Sequence, residues 1–142
     1  MSTPQPTPYA GDIDPQQAWE MLAADPDAVM VDCRTQAEWT FVGIADLGEL
    51  GKQVAYIEWN RFPGGFNDGF VEDLQAAGVR PDQPVVFLCR SGQRSIGAAT
   101  LATEAGFARS YNITEGFEGP VGPSGHRDVA GWKVRGLPWR QG

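Results

Sequence analysis

Short apolar runs alternate with amphipathic segments along the chain. Ala28-Val29-Met30-Val31, ending at Asp32, and Val85-Val86-Phe87-Leu88 are short apolar runs of strand length. Such runs are expected of strands buried on both faces. Val54 to Trp59 alternates well enough for another strand, which Pro63-Gly64-Gly65 would end. Residues 110–113 supply a fourth. Between these runs stand helix signals. Asp14, with Pro15 at the first helical position and Gln17 three residues on, opens a helix through Ala18-Trp19-Glu20-Met21-Leu22. Thr35 and Glu38 form a second capping box over a short helix reaching about Phe41. Phe70 to Ala77 reads as a helix stopped by Gly78, and residues 95–105 as another. Strands that alternate with helices predict an α/β fold with a mostly parallel sheet covered on both sides.

Composition narrows this to one domain. A chain of 142 residues is long enough for one substantial core and too short for two full domains. Residues 1–8 carry Pro, Ser, Thr and Gln without an apolar segment, so they are expected to be a disordered lead-in to a domain spanning 9–142, with neither signal peptide nor spanning helix. The formal charge of −7 argues against nucleic acid or an anionic membrane as partner, because phosphate binding needs a basic face. Two cysteines without CxxC spacing and one histidine make neither a zinc site nor a disulfide framework, so a reducing cytoplasm is the expected compartment and no metal is expected.

Basic charge is concentrated where one apolar run ends, in Cys89-Arg90-Ser91-Gly92-Gln93-Arg94-Ser95. Backbone amides in a turn between a buried strand and a helix have no ladder to join and can converge on one point. The helix N-terminus adds its unpaired amides and the positive end of its dipole. This makes an anion cradle around a nucleophile. A cysteine in that setting, beside two guanidinium groups, is expected to be a thiolate at neutral pH. Gly92 is expected to take positive φ so that the loop curls round the sulfur. The alternative is that Cys89 is one more buried small hydrophobe, but burial alone gives no reason for two arginines in the next five positions.

These residues resemble the active-site loop of rhodanese-type sulfurtransferases. Asp32-Cys33-Arg34-Thr35-Gln36-Ala37-Glu38-Trp39 is similar to the family's Asp-x-Arg-x-x-x-Glu-aromatic segment. Asn112-Ile113-Thr114-Glu115-Gly116-Phe117 is a weaker match to its Asn-x-x-x-Gly-Gly region, and Gly136-Leu137-Pro138-Trp139 to its usual close. The resemblance covers roughly residues 9–139. The chain departs from the family at Phe41-Val42-Gly43-Ile44, where a histidine is usual, and in a Gly/Pro-rich extension at about 116–131. It implies a rhodanese-like three-layer α/β/α domain with about five strands.

It also implies a reaction. The Cys89 thiolate would take the sulfane sulfur of a small anionic donor such as thiosulfate, hold it as a persulfide, and pass it to cyanide, a thiol or a protein acceptor. No cofactor is needed beyond that covalent intermediate. Cys89 is the expected nucleophile, Arg90 to Ser95 the expected binding loop, and Arg90 and Arg94 would attract the donor. Two alternatives stand beside this. A persulfide carrier or regulatory module serving a protein partner would share the sequence. A cysteine phosphatase would place five residues between Cys and Arg, whereas four lie between Cys89 and Arg94.

The remaining candidates support the loop. Asp32, at a strand end, is expected to pair with Arg34 or Arg90, with Arg34 more structural than substrate-binding. Cys33, facing away from Asp32 by strand alternation, is read as core. Trp59 and Arg61 are candidates for the pocket rim, though packing explains Trp59 as well. His126 is read as a surface histidine without chemistry.

Overall fold

The computed structural model describes residues 8–61, 65–127 and 129–141, with Arg61 described by its backbone alone. The expected disordered lead-in and the Pro63-Gly64 strand end therefore lie outside the described residues, apart from Pro8 and Gly65. In chain order the elements are β1 (Gly11–Ile13), α1 (Pro15–Ala24), β2 (Val29–Asp32), α2 (Gln36–Phe41), β3 (Ile44–Ala45), a 3₁₀ turn (Gly48–Leu50), β4 (Ala55–Tyr56), β5 (Asn60–Arg61), β6 (Gly65–Phe66), α3 (Phe70–Ala76), β7 (Val85–Leu88), α4 (Arg94–Glu104), β8 (Ser110–Ile113) and β9 (Trp139–Arg140).

Both expected capping boxes form. The Asp14 side chain accepts from the Gln17 amide while Gln17 reaches back to the Asp14 amide, with Pro15 next in the chain. Thr35 and Glu38 make the same reciprocal pair at α2. Each box satisfies amides that a helix start would otherwise leave without partners.

Five strands form one sheet in the order β1-β8-β7-β2-β4, every pairing parallel. The two continuous apolar runs, β2 and β7, are central neighbours, which is why neither shows alternation. Alternate residues of these strands feed two separate cores. Val31, Cys33, Val85, Phe87 and Cys89 pack with Phe70 and Leu74 of α3 and Ala98, Ala99 and Ala102 of α4. Met30, Val86, Leu88 and Ile113 pack on the other face with Ala18 and Leu22 of α1, Phe117 and Trp132. The result is the three-layer α/β/α arrangement expected of a rhodanese-like domain.

Two parts of the sheet differ from the sequence expectation. The strand expected over residues 54–59 is paired only at Ala55–Tyr56, but hydrogen bonding to the end of β2 continues through Ile57 N to Asp32 O (3.1 Å) and Trp59 N to Cys33 O (3.1 Å). The chain thus follows β2 past its end without regular strand geometry. At the other edge, β1 pairs with β8 over only three residues, too short a run for an apolar pattern to register.

The Gly/Pro-rich extension is an ordered wrap. Trp132 is fully buried, its amide donating to Gly116 O (2.9 Å) and its indole Nε1 to Pro138 O (2.7 Å). Gly131 N and the Arg135 guanidinium both donate to the Glu115 carboxylate. The chain end then returns along α2 as β9, antiparallel to β3.

Candidate functional site

Cys89 follows directly from β7, at the carboxyl end of the central strands where open α/β sheets present ligand sites. The residue is 1 % exposed. Its sulfur accepts the Gly92 amide at 3.1 Å and lies 3.2 Å from Ser95 Oγ, so the loop curls back over it as the sequence predicted. Gly92 has φ 92°, and a Cβ there would stand 1.9 Å from Thr114 O. Positive φ and this backbone contact both require glycine. Gln93 precedes α4 without a side-chain cap, and of the first-turn amides Ile96 N turns back to Gln93 O at 3.3 Å.

The loop is held from behind by the extension. Cys89 O accepts from Phe117 N at 2.8 Å, and Arg90 O from Glu118 N and Gly119 N at 2.9 and 3.0 Å. This approach is close enough that a Cβ on Gly116 would meet Cys89 O at 2.5 Å and Arg90 O at 2.6 Å. Gly116 is the one glycine of the expected Gly-Gly pair that the backbone contact demands; Phe117, in the second place, buries its ring instead.

Asp32 and Arg34, both fully buried, form the expected pair. Arg34 Nη2 donates to Asp32 Oδ2 at 2.7 Å and Nε to Oδ1 at 3.0 Å, while Nη2 also reaches Gly43 O at 2.8 Å. The Arg34 guanidinium stacks 4.3 Å from the Phe117 ring centroid. Asp32 therefore orients Arg34 rather than Arg90, and the pair supports the site through Phe117.

Of the two loop arginines, Arg90 is exposed and Arg94 is engaged. Arg94 Nη1 and Nη2 donate to Glu38 Oε1 and Oε2 at 2.7 and 2.9 Å. Burial pushes the Glu38 carboxyl up, but the hydrogen bonds and charge of Arg94, with the Thr35 amide, outweigh it and hold Glu38 below its ordinary range. On the same footing burial opposes charge on Arg94, yet Glu38 and the nearby thiols raise it. The sequence marked Glu38 as a capping residue and as part of the Asp-x-Arg segment, without a partner in the loop; its pairing with Arg94 depends on α2 meeting α4 across 56 residues. Ser91 is half-buried and Gln93 exposed at the loop's mouth.

Cys33 is fully buried, as expected, and donates to Leu88 O at 3.2 Å. Burial above all, with the Cys89 and Asp32 charges, pushes its thiol well above the ordinary range. Facing away from Asp32 puts it in the same core as Cys89. Trp59 is half-buried, edge-on to Phe66 and Phe70 (centroids 4.7 and 5.2 Å), and lies against Gly97 in the first turns of α4. The side chain of Arg61 lies outside the described residues. His126 is exposed. Sequence reasoning missed Asp12, which a hydrogen-bond chain through Asn112 and Ser95 connects to Cys89.

Among the described residues no group of His, Cys, Asp and Glu is arranged to hold a metal, and no helix is long and apolar enough to cross a membrane.

A family described as the STR4 middle domain matches residues 11–142. The crystal structure of Rv0390 from M. tuberculosis is 55 % identical, covers 94 % of this chain and 99 % of its own, and superposes with a TM-score of 0.86. A thiosulfate sulfurtransferase, GlpE, of Glaesserella parasuis is 34 % identical over 78 % of this chain and 85 % of its own length. An uncharacterized protein of Rickettsia conorii is 37 % identical over 87 % of this chain and 92 % of its own. Together with a basic, cysteine-bearing loop at the carboxyl end of a parallel sheet, these likenesses place the chain in the rhodanese-like sulfurtransferase family.

Proposed function

We propose that the protein moves sulfane sulfur from a small anionic donor, of which thiosulfate is the simplest, to a nucleophilic acceptor through a persulfide on Cys89. The observation that carries this reading is the Gly92 amide donating to Cys89 Sγ in a loop that ends at the N-terminus of α4. Such a loop stabilises negative charge on sulfur, and would do so for one further sulfur atom.

In this reaction the Cys89 thiolate attacks the outer sulfur of thiosulfate. The S–S bond of the donor breaks and sulfite leaves with the electron pair, so that Cys89–S–S⁻ remains. Cyanide, or a thiolate, then attacks the outer sulfur, and the Cys89 thiolate leaves unchanged. No oxidant and no general base is required. Arg90, exposed at the position after Cys89, is suited to draw in the dianion. Arg94 is bound to Glu38, so its part is to fix the first turn of α4 and add positive field at the sulfur.

Intact mass spectrometry after incubation with thiosulfate tests this. The expected result is a gain of about 32 mass units that cyanide removes and that Cys89→Ser lacks. Hydrolysis of an aryl phosphate lost in the same variant, with no such gain, would replace the reading by phosphatase chemistry.

A further inference from the structure

Ser95 Oγ stands between two claimants for its one proton, Asn112 Oδ1 at 2.5 Å and Cys89 Sγ at 3.2 Å. The Asn112 amide decides between them. Asp12 on β1 and Asn112 on β8 are register partners, so their side chains leave the sheet on the same face. Asn112 Nδ2 donates to Asp12 Oδ1 at 3.0 Å, and the Tyr9 hydroxyl donates to the same oxygen at 2.7 Å. A carboxylate only accepts, so the donor end of the amide must face Asp12. Its acceptor end then faces Ser95 and takes the serine proton. What Ser95 turns toward Cys89 is a lone pair.

That arrangement suits a thiol, which donates, and opposes a thiolate or a persulfide, which accept. We propose that Asp12, through the orientation it imposes on Asn112, directs the Ser95 hydroxyl away from the Cys89 sulfur and so restrains the sulfur from becoming anionic. Asp12 and Asn112 are positioning residues; Ser95 touches the reacting atom. When Cys89 loses its proton to water or buffer, Ser95 keeps its own proton and turns it from Asn112 to the sulfur. The catalytic meaning of this device rests on the proposed sulfur transfer. Its existence does not.

Other charged or titratable groups lie near the sulfur: the Cys33 thiol just past β2 and Arg94 with Glu38 at the start of α4, while Arg90, next in the chain, is exposed. None of them changes when Asp12 does. Asp12 is exposed, on an edge strand, so its replacement removes no core side chain, though it takes one hydrogen-bond acceptor from the Tyr9 hydroxyl.

The test is the rate at which iodoacetamide alkylates Cys89, read by peptide mass from mildly acid to mildly alkaline pH, with no sulfur donor present. In Asp12→Ala the amide is free to reverse, Nδ2 can meet Ser95, and Ser95 can donate to the sulfur. The expected result is an alkylation rate on the acid side raised about three- to tenfold, the worth of one hydrogen bond. Asn112→Leu, which removes the competing acceptor, is expected to give the same gain. Both gains should vanish when Ser95→Ala is added. An unchanged acid-side rate in either folded variant, or an equal gain without Ser95, would overturn the proposal. Because no donor is used, failure of sulfur loading and failure of this device are read separately.

Discussion

Arg94, the first residue of α4, and Glu38, in the middle of α2, are joined by two parallel hydrogen bonds of 2.7 and 2.9 Å. The pair ties the end of the Cys89 loop to a helix on the neighbouring crossover. Paired, Arg94 fixes where α4 begins, and α4 in turn fixes Ser95 against Cys89.

Removing one partner leaves the other's charge half-buried without its mate. Glu38→Ala is expected to lower stability by about 1–3 kcal/mol, read by urea denaturation. It should also slow sulfur loading of Cys89 by freeing the start of α4. Full stability with unimpaired loading would show that the pair is only a surface contact.

The same pair gives a pH window. The Glu38 carboxyl is lowered in the folded state despite its burial, through Arg94 and the Thr35 amide. A lowered carboxyl stabilises the fold above its unfolded value, about 4.3, and that contribution is lost as pH falls through the folded value. Denaturation midpoints of the wild type should therefore fall more steeply below about pH 4.3 than those of Glu38→Gln, which has no proton to take up. Parallel curves would deny the pair its electrostatic role.

Gly92→Ala should be severe. Its Cβ would lie 1.9 Å from Thr114 O, and φ 92° is disfavoured for any side chain. The backbone must move, so a loss of about 4 kcal/mol or more is expected, together with loss of sulfur loading. Gly78, with positive φ but nothing within 4 Å of an added Cβ, serves as the control. Gly78→Ala should cost only about 1 kcal/mol. Similar losses at both sites would mean that backbone angle, not contact, is what matters.

The two cysteines should behave differently toward a thiol reagent. Both thiols are buried, Cys33 at 0 % and Cys89 at 1 % exposed, so accessibility does not separate them; what does is that the Cys33 thiol is pushed up by burial and by the neighbouring Cys89 and Asp32, while Cys89 takes the Gly92 amide. Peptide mass after limited alkylation of the native protein is expected to find label at Cys89 and none at Cys33. Cys33→Ser should retain sulfur loading. Equal labelling, or loss of loading in Cys33→Ser, would give Cys33 a part in the chemistry.

Trp132→Ala is expected to destabilise the protein by about 3–5 kcal/mol. The ring is fully buried with Phe117, Ala18 and Leu22, and its loss would loosen the segment that holds Cys89 O and Arg90 O. A change within experimental error would make the extension an accessory instead of part of the core.

Much of this was legible in the linear sequence, for local reasons. The apolar runs at 28–31 and 85–88 had strand length and no alternation, as expected of strands buried on both faces, the Asp14 and Thr35 boxes marked two helix starts within a few residues, and the loop after Leu88 carried its cysteine, basic charge and glycine in seven consecutive positions. Hydrogen bonding and capping over three or four residues need nothing from the rest of the chain. Register and distance belong to the fold. That Arg94 finds Glu38, that Asp32 takes Arg34 and leaves Arg90 at the mouth, that Gly116 must be bare because Cys89 O passes beside it, and that Asp12 reaches Cys89 through Asn112 and Ser95 all depend on which strands lie side by side. A parallel sheet joins its neighbours through long crossovers. Residues 56 or 100 positions apart become partners only when those crossovers close, and no local pattern of the sequence records which ones will.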